Sequence, residues 1–208
     1  LAMRASRGGL RDYGRMRVWG SIGFFAAVTL GGPCFDLVGI TWLPASLIGM
    51  LLIVLVVTFW LPHREVHDLS PQPALLRDMI QDRRVQRFLA ASFLMLLAHA
   101  PLYTLFSLWL FEQGFSRTEI GLLWALGVVA EIVMFRFQHR LFERFSVGQC
   151  WVTSYVVTTV RFLMIALSGG SVLVIVLAQM LHAVTFGVHH SASMSLIRTW
   201  FPAQAQAR

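Results

Sequence analysis

Every basic residue among the 17 counted as Lys+Arg is arginine, and their positions alternate along a chain of six apolar runs. The runs lie at about 18–37, 42–61, 88–111, 119–137, 150–168 and 171–190. Arg4, Arg7, Arg11, Arg15 and Arg17 precede the first run, and none follows it before the second. Arg64, Arg77, Arg83, Arg84 and Arg87 fill the next connection, and the one after has only Arg117. Arg136, Arg140 and Arg144 mark the fourth connection, and the fifth, Ser168 to Ser171, is bare. Arg198 and Arg208 follow the last run. Cytoplasmic loops of membrane proteins carry the excess of basic residues. The pattern therefore predicts six transmembrane helices with both ends cytoplasmic. Arg161 falls deep inside the fifth run.

A helix needs about 20 residues to cross a hydrocarbon core of about 30 Å, and each run reaches about that length. The 57% share of hydrophobic residues and the mean hydropathy of +0.68 agree with an all-α polytopic membrane protein. The formal charge of +7 is spread over short loops on one face, where anionic lipid headgroups lie. It therefore points to the lipid bilayer as partner, not to nucleic acid. Cys34 and Cys150 fall at opposite faces of this topology, so no disulfide within the chain is expected. The chain starts at Leu1 without a methionine and reads as a piece of a longer protein.

Three divisions are expected. Residues 1–61 hold two helices. Residues 62–87 form a cytoplasmic loop, in which Pro73 to Arg84 reads as a short amphipathic helix with Leu75, Leu76, Met79 and Ile80 on one face. An ordinary surface helix is the alternative there. Residues 88–208 hold four helices, as two antiparallel hairpins turning at Gln113-Gly-Phe115 and Ser168-Gly-Gly-Ser171. In the first helix Gly23, Ala27 and Gly31 recur every four residues, which predicts a packing stripe. Pro101 predicts a bend in the third, either a hinge or a plain kink. Ser116-Arg-Thr-Glu119 reads as a capping box for the fourth.

Charge inside hydrocarbon costs at least about 2.5–3.5 kcal/mol, so such residues face a cavity or a partner. His99, Glu131, Arg161 and His182 each lie about eleven or twelve residues into a different helix, roughly 17 Å deep at 1.5 Å per residue. Gln179, His182, Thr185 and His189 form a polar stripe on the sixth helix, and Ser154, Thr158, Arg161 and Ser168 one on the fifth. Ser92, His99 and Tyr103 share a side of the third, and Trp124, Gly127 and Glu131 a side of the fourth. Two readings stand. Glu131 and Arg161 form a structural ion pair and the histidines bond backbone carbonyls. Or the set is a transport site. Arg161 would then grip a carboxylate, with His99, His182, Tyr103 and Trp124 beside it. A low-dielectric site favours the protonated form of a carboxyl, so Glu131 would carry a proton and His182 relay it. His189 and His190 point about 100° apart and cannot line one cavity. No close carboxylate or cysteine set suggests a metal, and no cofactor is expected.

Four stretches resemble one branch of the major facilitator superfamily, the aromatic-acid (3-phenylpropionate) permeases. They are Asp12-Tyr-Gly-Arg-Met-Arg-Val-Trp-Gly-Ser-Ile-Gly-Phe24, Ala98-His-Ala100, Gly121-Leu-Leu-Trp-Ala-Leu-Gly-Val-Val-Ala-Glu-Ile-Val-Met-Phe135 and Leu181-His-Ala-Val-Thr-Phe186 with His190. The resemblance implies helices five to ten of a twelve-helix fold, with the remaining helices outside this chain. Residues 62–87 then link two six-helix bundles. It also implies a proton symporter of the bacterial inner membrane, moving a small organic anion by alternating access. Glu131, Arg161 and His182 occupy helices where related symporters place an acid, an arginine and a histidine. The superfamily's second-half loop motif survives only as Glu143-Arg-Phe-Ser146. The rival expectations are a polytopic membrane enzyme, for which only His139 and the His189-His190 pair stand near the cytoplasmic face, and a non-transporting scaffold fragment.

Overall fold

The computed structural model describes the backbone of residues 10–60 and 79–201, with side chains from Val18 onward. Among these residues the chain is helical throughout and has no strand. The helices are α1 (Leu10–Val38), α2 (Leu43–Phe59), α3 (Arg83–Glu112), α4 (Arg117–Arg144), α5 (Val147–Ala166), α6 (Val172–Met180) and α7 (His189–Trp200). A π-helical segment, Ala183–Val188, joins α6 to α7. The sixth apolar run is therefore one span, Val172–Trp200, whose middle is widened by a π turn. The amphipathic helix expected at 73–84 lies largely outside the described residues; 79–81 are helical.

Local chemistry explains the boundaries. Ser116 and Glu119 close the expected capping box on α4, and Ser146 with Gln149 closes a second on α5. Asp82 caps α3 by accepting from Arg84 N at 2.7 Å. Pro44 stands in the first turn of α2, where its missing N–H costs nothing. The tight turn before α4 needs Gly114, at φ 92°, a region that other residues avoid. The last span ends at Trp200, shortly before Pro202.

Among the described residues five segments are long and apolar enough to cross a membrane: Val18–Val38, Ile40–Phe59, Arg83–Glu112, Arg117–Arg144 and Val172–Trp200. The expected fifth span, α5, is not among them. At 20 residues it is about 30 Å long and still reaches across. Its hydropathy is lowered by Gln149, Ser154, Thr158 and Arg161. The last three are buried, and α5 packs along α6, the π segment and α7 in turn. It is an inward-facing partner of a membrane span, which is why its polar stripe survives.

Antiparallel α1 and α4 pack most extensively. The approach is backbone to backbone. A methyl group at Gly121 would sit 2.5 Å from the Val28 carbonyl oxygen, and one at Gly32 would sit 2.7 Å from that of Arg117. The expected stripe of Gly23, Ala27 and Gly31 does not make this contact. A Cβ at Gly23 meets nothing within 4 Å, and Gly31 meets only Phe35 of its own helix. The packing face is rotated to Ser21, Val28 and Gly32. In this chain α2 buries none of its residues.

Two apolar clusters bracket the middle of the α3–α7 bundle. Leu102, Phe106, Leu110, Ile120, Leu123 and Ile175 pack toward the arginine-poor end. Cys150, Val188 and Ala192 pack toward the arginine-rich end. Buried His99, Thr158, Arg161, Gln179, His182 and Thr185 lie in the helix segments between these clusters, as does Glu131. Both cysteines are free, as expected: Cys34 is exposed and Cys150 buried.

Candidate functional site

Glu131 is the hub of this layer. Its side chain is 4% exposed. Ser21, on α1, donates to its Oε1 at 2.8 Å. His182 faces its other oxygen, with Nε2 3.4 Å from Oε2. Gly127, one turn earlier on α4, leaves the space that His182 enters; a Cβ there would lie 3.4 Å from the His182 Cβ.

Behind His182 stands Arg161, with no exposed surface. Its donors are taken up by the sixth span. Nε donates to the Ala178 carbonyl at 3.0 Å and Nη2 to Gln179 Oε1 at 2.8 Å. Nη1 reaches Thr185 Oγ1 at 3.0 Å and His182 Nδ1 at 3.3 Å. His182 and Thr185, three residues apart, share one side of the span, so one guanidinium nitrogen touches both. Glu131 and Arg161 are thus joined through His182.

A cavity of about 230 Å³ opens beside Glu131 and His182. Gly20, Ser21 and Phe24 of α1, Tyr103 of α3, Trp124 and Val128 of α4, and Phe186 complete its wall. Four aromatic side chains therefore surround one carboxyl and one imidazole. Trp124 is fixed by a hydrogen bond from its indole to Ser107 Oγ at 2.9 Å. Tyr103 stacks on it, with centroids 6.1 Å apart and planes at 20°. A larger cavity, about 630 Å³, lies between α3 and α5. Its wall is apolar apart from Glu112, so the chemistry belongs to the smaller one.

The expected site residues divide accordingly. Glu131, His182, Tyr103 and Trp124 line the cavity. Arg161 does not. His99 does not either: its Nδ1 bonds the Met95 carbonyl at 2.9 Å and its ring packs on Phe162 and Tyr103. The backbone-bonded reading of a membrane histidine fits His99. His189 and His190 diverge as the helical geometry requires. His189 bonds Ser154 Oγ at 3.0 Å among Trp151 and Tyr155, whereas His190 stacks on Phe186. Sequence reasoning passed over Ser21, Phe24 and Phe186. A serine or phenylalanine in an apolar run carries no cost that marks it. Among the described residues no group of histidine, cysteine and carboxylate side chains is arranged to hold a metal.

The family model described as the MFS_1 like family matches residues 1–208. The chain belongs to that family. That places it in the major facilitator superfamily, which sets aside the membrane-enzyme reading. The "Probable 3-phenylpropionic acid transporter" of Escherichia coli (strain K12) is 31% identical over 196 residues, covering 89% of this chain and 50% of that protein. The chain spans about half the length of the curated relative it matches. No solved structure matches it.

Proposed function

We propose that this chain forms helices five to ten of a proton-coupled symporter for a small organic anion, an aromatic carboxylate in particular. In this reading residues 1–61 end one bundle, 62–87 link the bundles, and 88–208 begin the second. The bare surface of α2 supports it, because a membrane-spanning helix in a complete transporter has neighbours on at least one side. The protein sits in the bacterial inner membrane, and the two bundles move about the α1–α4 contact.

One observation carries the proposal: a single buried carboxyl, Glu131, is shared between α1 and the sixth span at the wall of an aromatic cavity. A group held by both bundles senses their relative position. Ionised, it accepts from Ser21 and His182; protonated, it frees the His182 donor for an incoming carboxylate. Phe24, Tyr103, Trp124 and Phe186 offer ring faces and edges to an aryl group. The relative's printed name, a probable transporter of 3-phenylpropionic acid, supports the same chemistry.

Uptake into vesicles containing the complete transporter tests this. Labelled 3-phenylpropionate accumulates when the outside is acid, and the gradient collapses with a protonophore. Accumulation that ignores the proton gradient would overturn the coupling, and no uptake of any monocarboxylate would overturn the substrate class.

A further inference from the structure

We infer that Arg161 never touches the transported anion but is a positioning residue, fixing the neutral imidazole of His182 with its proton on Nε2 so that this N–H faces the cavity. This rests on the transport reading and assigns the site's anion donor to a different residue from the buried cation.

The argument begins with hydrogen-bond capacity. A guanidinium is donor only and keeps its protons in proteins. Its Nη1 lies 3.3 Å from His182 Nδ1. Two facing N–H groups would repel, so Nδ1 must present its lone pair. A neutral imidazole with a bare Nδ1 carries its proton on Nε2. That nitrogen is the one facing Glu131 Oε2 at 3.4 Å. One cation on one side of the ring therefore decides which atom the ring offers on the other.

The remaining contacts show that Arg161 is held for this task. Ala178 O, Gln179 Oε1 and Thr185 Oγ1 take three more of its five donors. It has no exposed surface and contributes nothing to the wall of the cavity, whereas His182 does. Their spacing of three residues on one helix face brings His182 and Thr185 to one nitrogen.

The charges follow. Arg161 and ionised Glu131 balance across a neutral ring. When Glu131 takes up a proton, the positive charge of Arg161 is left without its partner. A carboxylate accepting from His182 Nε2–H restores the balance. The same N–H thus serves Glu131 in the empty site and the anion in the loaded one. This ties anion binding to protonation without any proton passing through His182.

Ring-¹⁵N-labelled histidine in the complete transporter reads the tautomer directly, with His182→Ala identifying the signal. The expected spectrum is the neutral Nε2–H form at neutral pH. The Nδ1–H form, or an imidazolium, in the unaltered protein overturns the proposal. In Arg161→Lys the signal becomes a mixture of forms and the Kd for 3-phenylpropionate rises about tenfold or more, as for loss of a charge-assisted contact. In a His182→Ala background Arg161→Lys adds little, because the effect runs through the ring. Additive losses, or weakened binding with the His182 signal unchanged, mean that Arg161 meets the anion itself. The tautomer needs no ligand, so a protein that does not bind 3-phenylpropionate counts against the transport reading and leaves this measurement standing.

Discussion

Asp36, in the last turn of α1, accepts from the backbone N–H of Thr118 at 3.0 Å and from its hydroxyl at 2.6 Å, and so caps the first turn of α4 from another helix. Arg117 adds an ion pair at 3.3 Å. This accounts for the lone arginine on the arginine-poor face. The carboxylate sits at a helix N-terminus, where free N–H groups favour an anion. It closes the end of the α1–α4 contact beyond the cavity. Under alternating access this latch must open to admit substrate from that side. Asp36→Ala, in a Cys34→Ser background, is expected to raise labelling of a cysteine placed at Phe24 by an impermeant reagent added outside. Unchanged labelling would show that the latch does not hold the site shut.

The glycines of the same contact make a stability prediction. Gly121→Ala places a methyl group 2.5 Å from a backbone oxygen, which cannot swing away as a side chain can. The helices must part, at a cost of about 1–3 kcal/mol for overpacking. Gly23→Ala meets open space and is expected to leave stability unchanged or raise it slightly. Thermal unfolding in detergent distinguishes them. Equal melting temperatures for Gly121→Ala and Gly23→Ala would contradict the close approach.

These two glycines also show how far the sequence could be read. Depth was legible, because an ionisable residue in an apolar run can be counted from the nearest loop. That brought His99, Glu131, Arg161 and His182 to one level. Rotation was not. The regular small-residue series is Gly23, Ala27 and Gly31, yet the partner helix selects Gly32 over Gly31. The π segment changes the register of the sixth span between His182 and His189, and its residues, Ala183 to Val188, carry no mark of it. Without that turn the polar stripe predicts the partners of Arg161 only in outline. Ser21 was invisible for the simplest reason: a hydroxyl can bond its own helix, so it demands no partner.

Topology follows from the arginines and is open to a direct check. Cysteines placed at Asp68 and at Gly114 are expected to react from opposite sides of the membrane. Labelling of both from outside would remove the assignment of cytoplasmic ends.

The aromatic wall predicts selectivity. Trp124 is the best-anchored ring, held by Ser107 and stacked by Tyr103. Trp124→Leu keeps an apolar wall but removes the ring face. Aromatic contacts are worth about 0.5–1.5 kcal/mol beyond burial, so affinity for an aryl acid should fall about three- to tenfold. Affinity for an aliphatic acid of similar size should barely change. Competition binding with the two acids gives the ratio, and an equal loss for both would reduce Trp124 to a packing residue.

Glu131→Gln isolates the proton. Glutamine keeps the length and still accepts from Ser21, but it has no proton to release. In the complete transporter, accumulation driven by an acid exterior is expected to be lost. Exchange of external for internal substrate should persist, because it needs no net proton movement. Ser21→Ala makes the complementary change, removing one donor to a carboxyl that stays buried. Loss of such a bond costs about 1.5–3 kcal/mol where the acceptor is charged and less where it is protonated. The ionised state alone is penalised, so Ser21→Ala is expected to move the pH dependence of uptake toward more alkaline values while Glu131→Gln abolishes it. If Glu131→Gln still concentrates substrate against a gradient, the coupling proton travels through helices outside this chain.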